Sequence, residues 1–89
     1  MKIFKDLEFK PHSIGGDHTQ ATMDFSNGYG VSVITGSKFY TDRLHPYEVG
    51  VTWHGGLTYN TPITDDVIGH CNKASVTKIM KRVQSLPKL

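Results

Sequence analysis

Residues Ala21–Val33 read ATMDFSNGYGVSV. Ala21, Met23 and Phe25 alternate with polar neighbours, and Tyr29, Val31 and Val33 alternate after Ser26-Asn27-Gly28. A two-residue period is that of a strand with one buried face, and Asn-Gly between two such runs marks a hairpin. Two loop lengths compete. A two-residue Asn27-Gly28 turn pairs Asp24 with Val31 and Thr22 with Val33. A three-residue loop, with Gly28 in the left-handed region, pairs Phe25 with Tyr29, Met23 with Val31 and Ala21 with Val33. The second arrangement puts six apolar groups on one face. A one-residue slip exposes half of them, so burial selects the three-residue loop.

The same pattern recurs downstream. Tyr47, Val49, Val51 and Trp53 alternate, His54-Gly55-Gly56 follows, and Leu57 and Tyr59 alternate. The same argument predicts a three-residue loop that pairs Trp53 with Leu57 and Val51 with Tyr59. Ile3, Leu7 and Phe9 share one face of a two-residue period, which predicts a strand over residues 2–10, ended by Pro11. His12–His18 (HSIGGDH) reads as a loop. Thr35–Pro46 is a polar connection with Phe39, Tyr40 and Leu44 tucked inward.

Beyond Pro62, Thr64-Asp65-Asp66 resembles a helix N-cap with acids in the first turn. Val67 and Ile68 then anchor one short turn ended by Gly69. Val76, Ile79, Met80, Val83 and Leu86 form one face of a 3.6-residue repeat. That helix is capped by Asn72 or Ser75 and runs to about Leu86. Two hairpins, one further strand and a terminal amphipathic helix predict an α+β fold. An antiparallel sheet of about five strands is packed by one C-terminal helix. Only one sheet face is then apolar. The other carries Thr22, Asp24, Ser32, Glu48, Thr52, Thr58 and Asn60.

Eighty-nine residues make a single domain, 1–89, with a thin core. Apolar content of 37% with 20% charged residues fits an ordered domain rather than a disordered chain. Charge is divided unevenly. From Val67 onward there are five Lys/Arg and no acids, a net +5; the first 66 residues hold five Lys/Arg against eight acids, a net −3. The start, MKIFKDLEF, has charges inside its apolar run and no signal-peptide core. No run approaches the roughly 20 apolar residues of a membrane span. One cysteine, Cys71, forms no internal disulfide, so a reducing cytoplasm is expected.

No catalytic, cofactor or metal motif stands out. His70 and Cys71 are adjacent, so their side chains diverge. Four-coordinate zinc would need His12, His18, His45, His54 or His70 to converge from separate loops. Gly15-Gly16-Asp17-His18 lacks the strand–loop–helix setting of a phosphate-binding loop, and a plain turn is the simpler reading. Asp65 and Asp66 do not face one another on a helix, so capping suits them better than a carboxylate pair. Cys71 lacks a placed base and reads as a small buried thiol. A small enzyme built on the His12–His18 loop is the weakest of the functional readings.

The basic helix is the feature with functional content. Lys78, Lys81 and Arg82 lie on its solvent side and would meet an acidic protein surface or phosphates. The plain alternative is a solvated face.

Four segments resemble a family of short, uncharacterised tailed-phage proteins: Phe25–Val33 (FSNGYGVSV), Tyr47–Val51 (YEVGV), Leu57–Gly69 (LTYNTPITDDVIG) and Val76–Leu86 (VTKIMKRVQSL). They cover about half the chain. The resemblance implies an accessory phage product made in the bacterial host cytoplasm, acting by binding a host or phage protein. The expected function is therefore a non-enzymatic binding module without cofactors, of the host-takeover or anti-defence type. The alternative is a small nucleic-acid-binding module using the basic helix. A free sheet edge also allows self-association into a homo-oligomer.

Overall fold

A computed structural model describes residues 1–13, 15–36, 44, 46–58, 61–63 and 67–87. A 3₁₀ turn at Phe4–Asp6 comes first. Six strands follow: β1 (Lys10–Pro11), β2 (Thr19–Asp24), β3 (Tyr29–Thr35), β4 (Tyr47–Trp53), β5 (Gly56–Leu57) and β6 (Ile68–Cys71). The helix α1 spans Lys73–Gln84. All strand pairs are antiparallel, in the order β1-β2-β3-β4-β5, with β6 also pairing β4. The fold is the expected α+β sheet with one C-terminal helix across it.

The first hairpin has the register that burial requires. Ala21 faces Val33 and Met23 faces Val31. The Phe25 amide donates to the Tyr29 carbonyl at 2.7 Å, and Gly28 has φ +89°. Val31, Val33, Val49 and Val51 are buried on one sheet face against Val76, Ile79, Met80 and Val83 of α1. Phe25 and Trp53 belong to this face but stay half-buried at its end, where Trp53 packs on Tyr29 with ring centroids 4.7 Å apart and planes tilted by 52°.

The second hairpin is one residue tighter than the sequence argument expects. Trp53 pairs with Gly56 and Thr52 with Leu57. His54 and Gly55 have φ of +49° and +86°, the doubly left-handed turn whose twist matches the flanking strands. This sends Leu57 to the face away from α1. There Leu57 leans over Gly50, where a Cβ would lie 2.7 Å from Leu57 Cδ2. Turn geometry outweighed the burial of Leu57, which stays 55% exposed. The Val51–Tyr59 pairing falls on Tyr59, outside the described residues.

Two further expectations are corrected. Residues 2–9 are not a strand, and only Lys10 enters β1. Phe4, Leu7 and Phe9 do pack on the core, but the main chain here is held by a 3₁₀ turn and by bonds to the helix instead of a sheet partner. The Phe4 amide donates to Thr77 Oγ1 at 3.1 Å. The Lys2 amide donates to Gln84 Oε1 at 2.9 Å, and Gln84 Nε2 donates back to the Lys2 carbonyl at 2.7 Å. Pro11 lies inside edge strand β1, where a missing donor is tolerated.

Val67–Gly69 is not a helical turn either. Ile68 and Cys71 pair with Val49 and Tyr47, with a bulge between the two contacts and His70 at φ +54°. Bulging Gly69-His70 lets both Ile68 and Cys71 reach the core. The cap expected at Thr64-Asp65-Asp66 lies outside the described residues. Asn72 caps α1, accepting from the Ser75 amide at 2.8 Å. Of the connection, Leu44 is 79% exposed rather than tucked in, while Phe39 and Tyr40 lie outside the described residues.

Candidate functional site

The cationic face of α1 is built by its own period. Burying Val76, Ile79, Met80 and Val83 turns Lys78, Lys81 and Arg82 outward, and all three are exposed. The helix sequence KASVTKIMKRVQ contains no acid. Among the described residues none of the three cations forms an ion pair. Lys81 and Arg82 sit in the last turn, where the helix dipole favours positive charge. Lys73 is set apart, with its ammonium 5.7 Å from the Phe4 ring centroid. Pro62, Ile63, Ser85 and Leu86 join Lys81 and Arg82 around a shallow groove of about 380 Å³. The surface therefore combines charge with an apolar lip.

The histidines have other surroundings. His18 is buried; its Nδ1 donates to the Gly15 carbonyl at 2.6 Å and lies 3.4 Å from Asp17 Oδ1. Its ring occupies the space where a side chain on Gly36 would stand. That arrangement closes the Gly15-Gly16 turn and gives His18 a packing role. His54 lies edge-on to Trp53, with centroids 4.0 Å apart. His70 is exposed on the bulge, and His45 lies outside the described residues. Among the described residues, no three His, Cys, Asp or Glu side chains come together as a metal-holding group. Cys71 is buried, and its Sγ donates to the Ile68 and Gly69 carbonyls at 3.6 Å. Burial pushes its thiol pKa up, and the Glu48 carboxylate adds to the rise. A protonated thiol is a poor nucleophile.

The sheet face opposite α1 departs most from expectation. Thr22 and Asp24 are exposed, and Ser32 and Thr58 are partly covered; Asn60 lies outside the described residues. Glu48 and Thr52, however, are buried at 8% and 6% exposure. Strands β5 and β6 share the far edge of β4, so β4 is an interior strand. Leu57 and Val67 lean over Gly50 and cover part of its outer face. A cleft of about 200 Å³ remains, lined by His12, Gln20, Ser32, Ile34, Glu48, Gly50, Leu57 and Val67. Sequence reasoning assigned Glu48 to a solvated face. Its one available signal was Gly50, two residues on, which leaves a gap in the row of side chains.

No family model, curated protein or solved structure matches the chain, so its surfaces are the basis for assigning a role.

Proposed function

We propose that this protein is a non-enzymatic binding module that docks an acidic surface of a partner protein against Lys78, Lys81 and Arg82. The observation that carries the reading is a helix face with three exposed cations and no internal counter-charge among the described residues. The groove beside Lys81 and Arg82 adds apolar contact from Pro62, Ile63 and Leu86. Charge guides the encounter and apolar contact holds the complex. The resemblance to tailed-phage accessory proteins supports a host or phage protein as the partner, met in the bacterial cytoplasm.

Nucleic acid is the second reading, favoured by the same charges. Against it stands the placement of the aromatics. Phe4, Phe9, Phe25, Tyr29, Tyr47 and Trp53 are buried or half-buried in the core cluster, which leaves no stacking platform beside the cations among the described residues. The test is affinity capture with the wild-type protein and with K78A/K81A/R82A, beside a titration of duplex and single-stranded DNA at two salt concentrations. A protein captured by wild type and lost with the triple variant supports the proposal. Equal capture by both overturns it. DNA binding whose log affinity falls with log salt at a slope of about −2 to −3 selects the nucleic-acid reading.

A further inference from the structure

We propose that the cleft on the sheet face opposite α1 is a second binding site. It takes a donor-only cation on an alkyl stem, an ammonium or a guanidinium, with Glu48 as the counter-charge. The antiparallel register sets the lining. Gln20, Ile34 and Glu48 form one cross-strand row over β2, β3 and β4, and Ser32 and Gly50 lie in the next. Gly50 supplies the floor, since a Cβ there would collide with Leu57 Cδ2 at 2.7 Å.

The chemistry of the lining selects the ligand. Glu48 is 8% exposed, and among the described residues nothing donates a hydrogen bond to its carboxylate. The carboxylate lies in the cleft wall with no counter-charge on the protein among the described residues, and a cation placed beside it supplies one. Gln20 Nε2 donates to Ser32 Oγ at 2.8 Å, which turns this amide toward Ser32, and Oε1 remains as an acceptor. The Glu48 carboxylate carries the negative charge of the lining. Ammonium and guanidinium groups carry donors and no acceptor, so they match it. Ile34, Leu57 and Val67 provide apolar wall for a methylene stem. His12 is the other titratable group in the lining.

This site lies across the sheet from Lys78, Lys81 and Arg82 and is independent of them. The cation has two sources, a free small amine or guanidine and the Lys or Arg side chain of a protein partner. Butylammonium, butylguanidinium and a Gly/Ser pentapeptide with a central Arg are titrated into the protein and followed by amide chemical shifts. Butyrate and butanol serve as controls. Saturable shifts confined to the amides around Ser32, Ile34 and Gly50 are expected with the cations and not with the controls. Glu48→Gln, which keeps the shape and removes the charge, should weaken the binding about tenfold or more. Response to the small cations identifies a free ligand, and response to the peptide alone identifies a protein side chain. No saturation by any cation overturns the proposal. So does equal binding by Glu48→Gln with its native spectrum intact. K78A/K81A/R82A should bind the cations as wild type does, which separates this site from the helix face.

Discussion

The side-chain amide of Asn27 donates to the main-chain carbonyl of Val83 at 2.9 Å, joining the tip of the first hairpin to the end of α1. The same nitrogen lies 3.0 Å from the Leu86 carbonyl and 3.4 Å from that of Gln84. Asn27 Oδ1 accepts from the Tyr29 amide at 3.0 Å. One buried side chain thus shapes its own turn and satisfies carbonyls that a helix end leaves without partners. Replacing Asn27 with Ala should cost about 2–3 kcal/mol in urea unfolding, from the lost bonds and the carbonyls left unpaired. Asn27→Asp should cost more, because it sets a carboxylate against carbonyl oxygens. A loss below about 0.5 kcal/mol for Asn27→Ala would refute this role.

Gly28 is constrained twice. Its φ of +89° suits glycine, and a Cβ there would lie 2.6 Å from Trp53 Cζ3. Asn tolerates the left-handed region, yet its Cβ meets the indole all the same. Gly28→Asn and Gly28→Val should therefore both destabilise, with Val worse. Gly28→Asn paired with Trp53→Ala should lose less than the two single losses combined, since the collision is gone. Equilibrium unfolding of the four variants completes the cycle, and strict additivity would contradict the contact.

Thr52 Oγ1 is buried without a hydrogen-bond partner in the structure. Thr52→Val keeps the branched shape and removes the stranded hydroxyl. It should raise stability by about 1 kcal/mol, read as a higher urea midpoint at unchanged slope. A fall in stability would mean the hydroxyl is engaged.

Burial raises the Cys71 thiol pKa, with Glu48 contributing further. The folded chain therefore holds this proton to higher pH than the unfolded chain does. Its stabilising effect is full below the ordinary thiol range and is lost as pH rises through the folded value. Stability should decline at alkaline pH, and Cys71→Ala should flatten that decline while costing some packing. In the native protein at neutral pH, Cys71 should react with thiol reagents far more slowly than a free cysteine, and denaturant should remove the difference.

K78A/K81A/R82A should unfold within about 0.5 kcal/mol of wild type, because exposed charges contribute little to stability. Its association with an acidic partner should slow most at low salt, where charge steering is strongest. Unchanged rates at every salt concentration would mark the face as merely solvated.

The parts of the fold that were legible from sequence are those where one physical requirement acts alone. The β2–β3 register follows from the six alternating apolar residues between Ala21 and Val33, and the helix from Val76, Ile79, Met80 and Val83. Where two requirements compete, the sequence argument chose wrongly. At His54-Gly55, backbone twist outweighed the burial of Leu57, which is left 55% exposed. At residues 3–9 the two-residue period failed on strand and on part of the burial: Leu7 and Phe9 pack on the core, but so does Phe4 in place of Ile3, because a 3₁₀ turn and bonds to α1 replace a sheet ladder. Val67 and Ile68 read as a short turn because Thr64-Asp65-Asp66 resembles a helix cap, whereas Ile68 and Cys71 pair with β4 across a bulge. Lys78, Lys81 and Arg82 were readable because an exposed helix face is defined by its buried one. The Glu48 cleft was not, since it depends on β6 joining β5 along the edge of β4, and the β4–β6 pairing is long-range with no local signature.

The reciprocal bonds between Lys2 and Gln84 span 82 positions of chain. With the Phe4–Thr77 and Asn27–Val83 contacts, they make residues 2–4, the first hairpin and α1 complete one another. During synthesis the three-stranded unit from β2 to β4 emerges with its apolar face still bare, and it stays so until α1 follows. Shortening by one helical turn removes the clasp for the N-terminal segment and the support for the first hairpin together, leaving an exposed valine sheet prone to self-association.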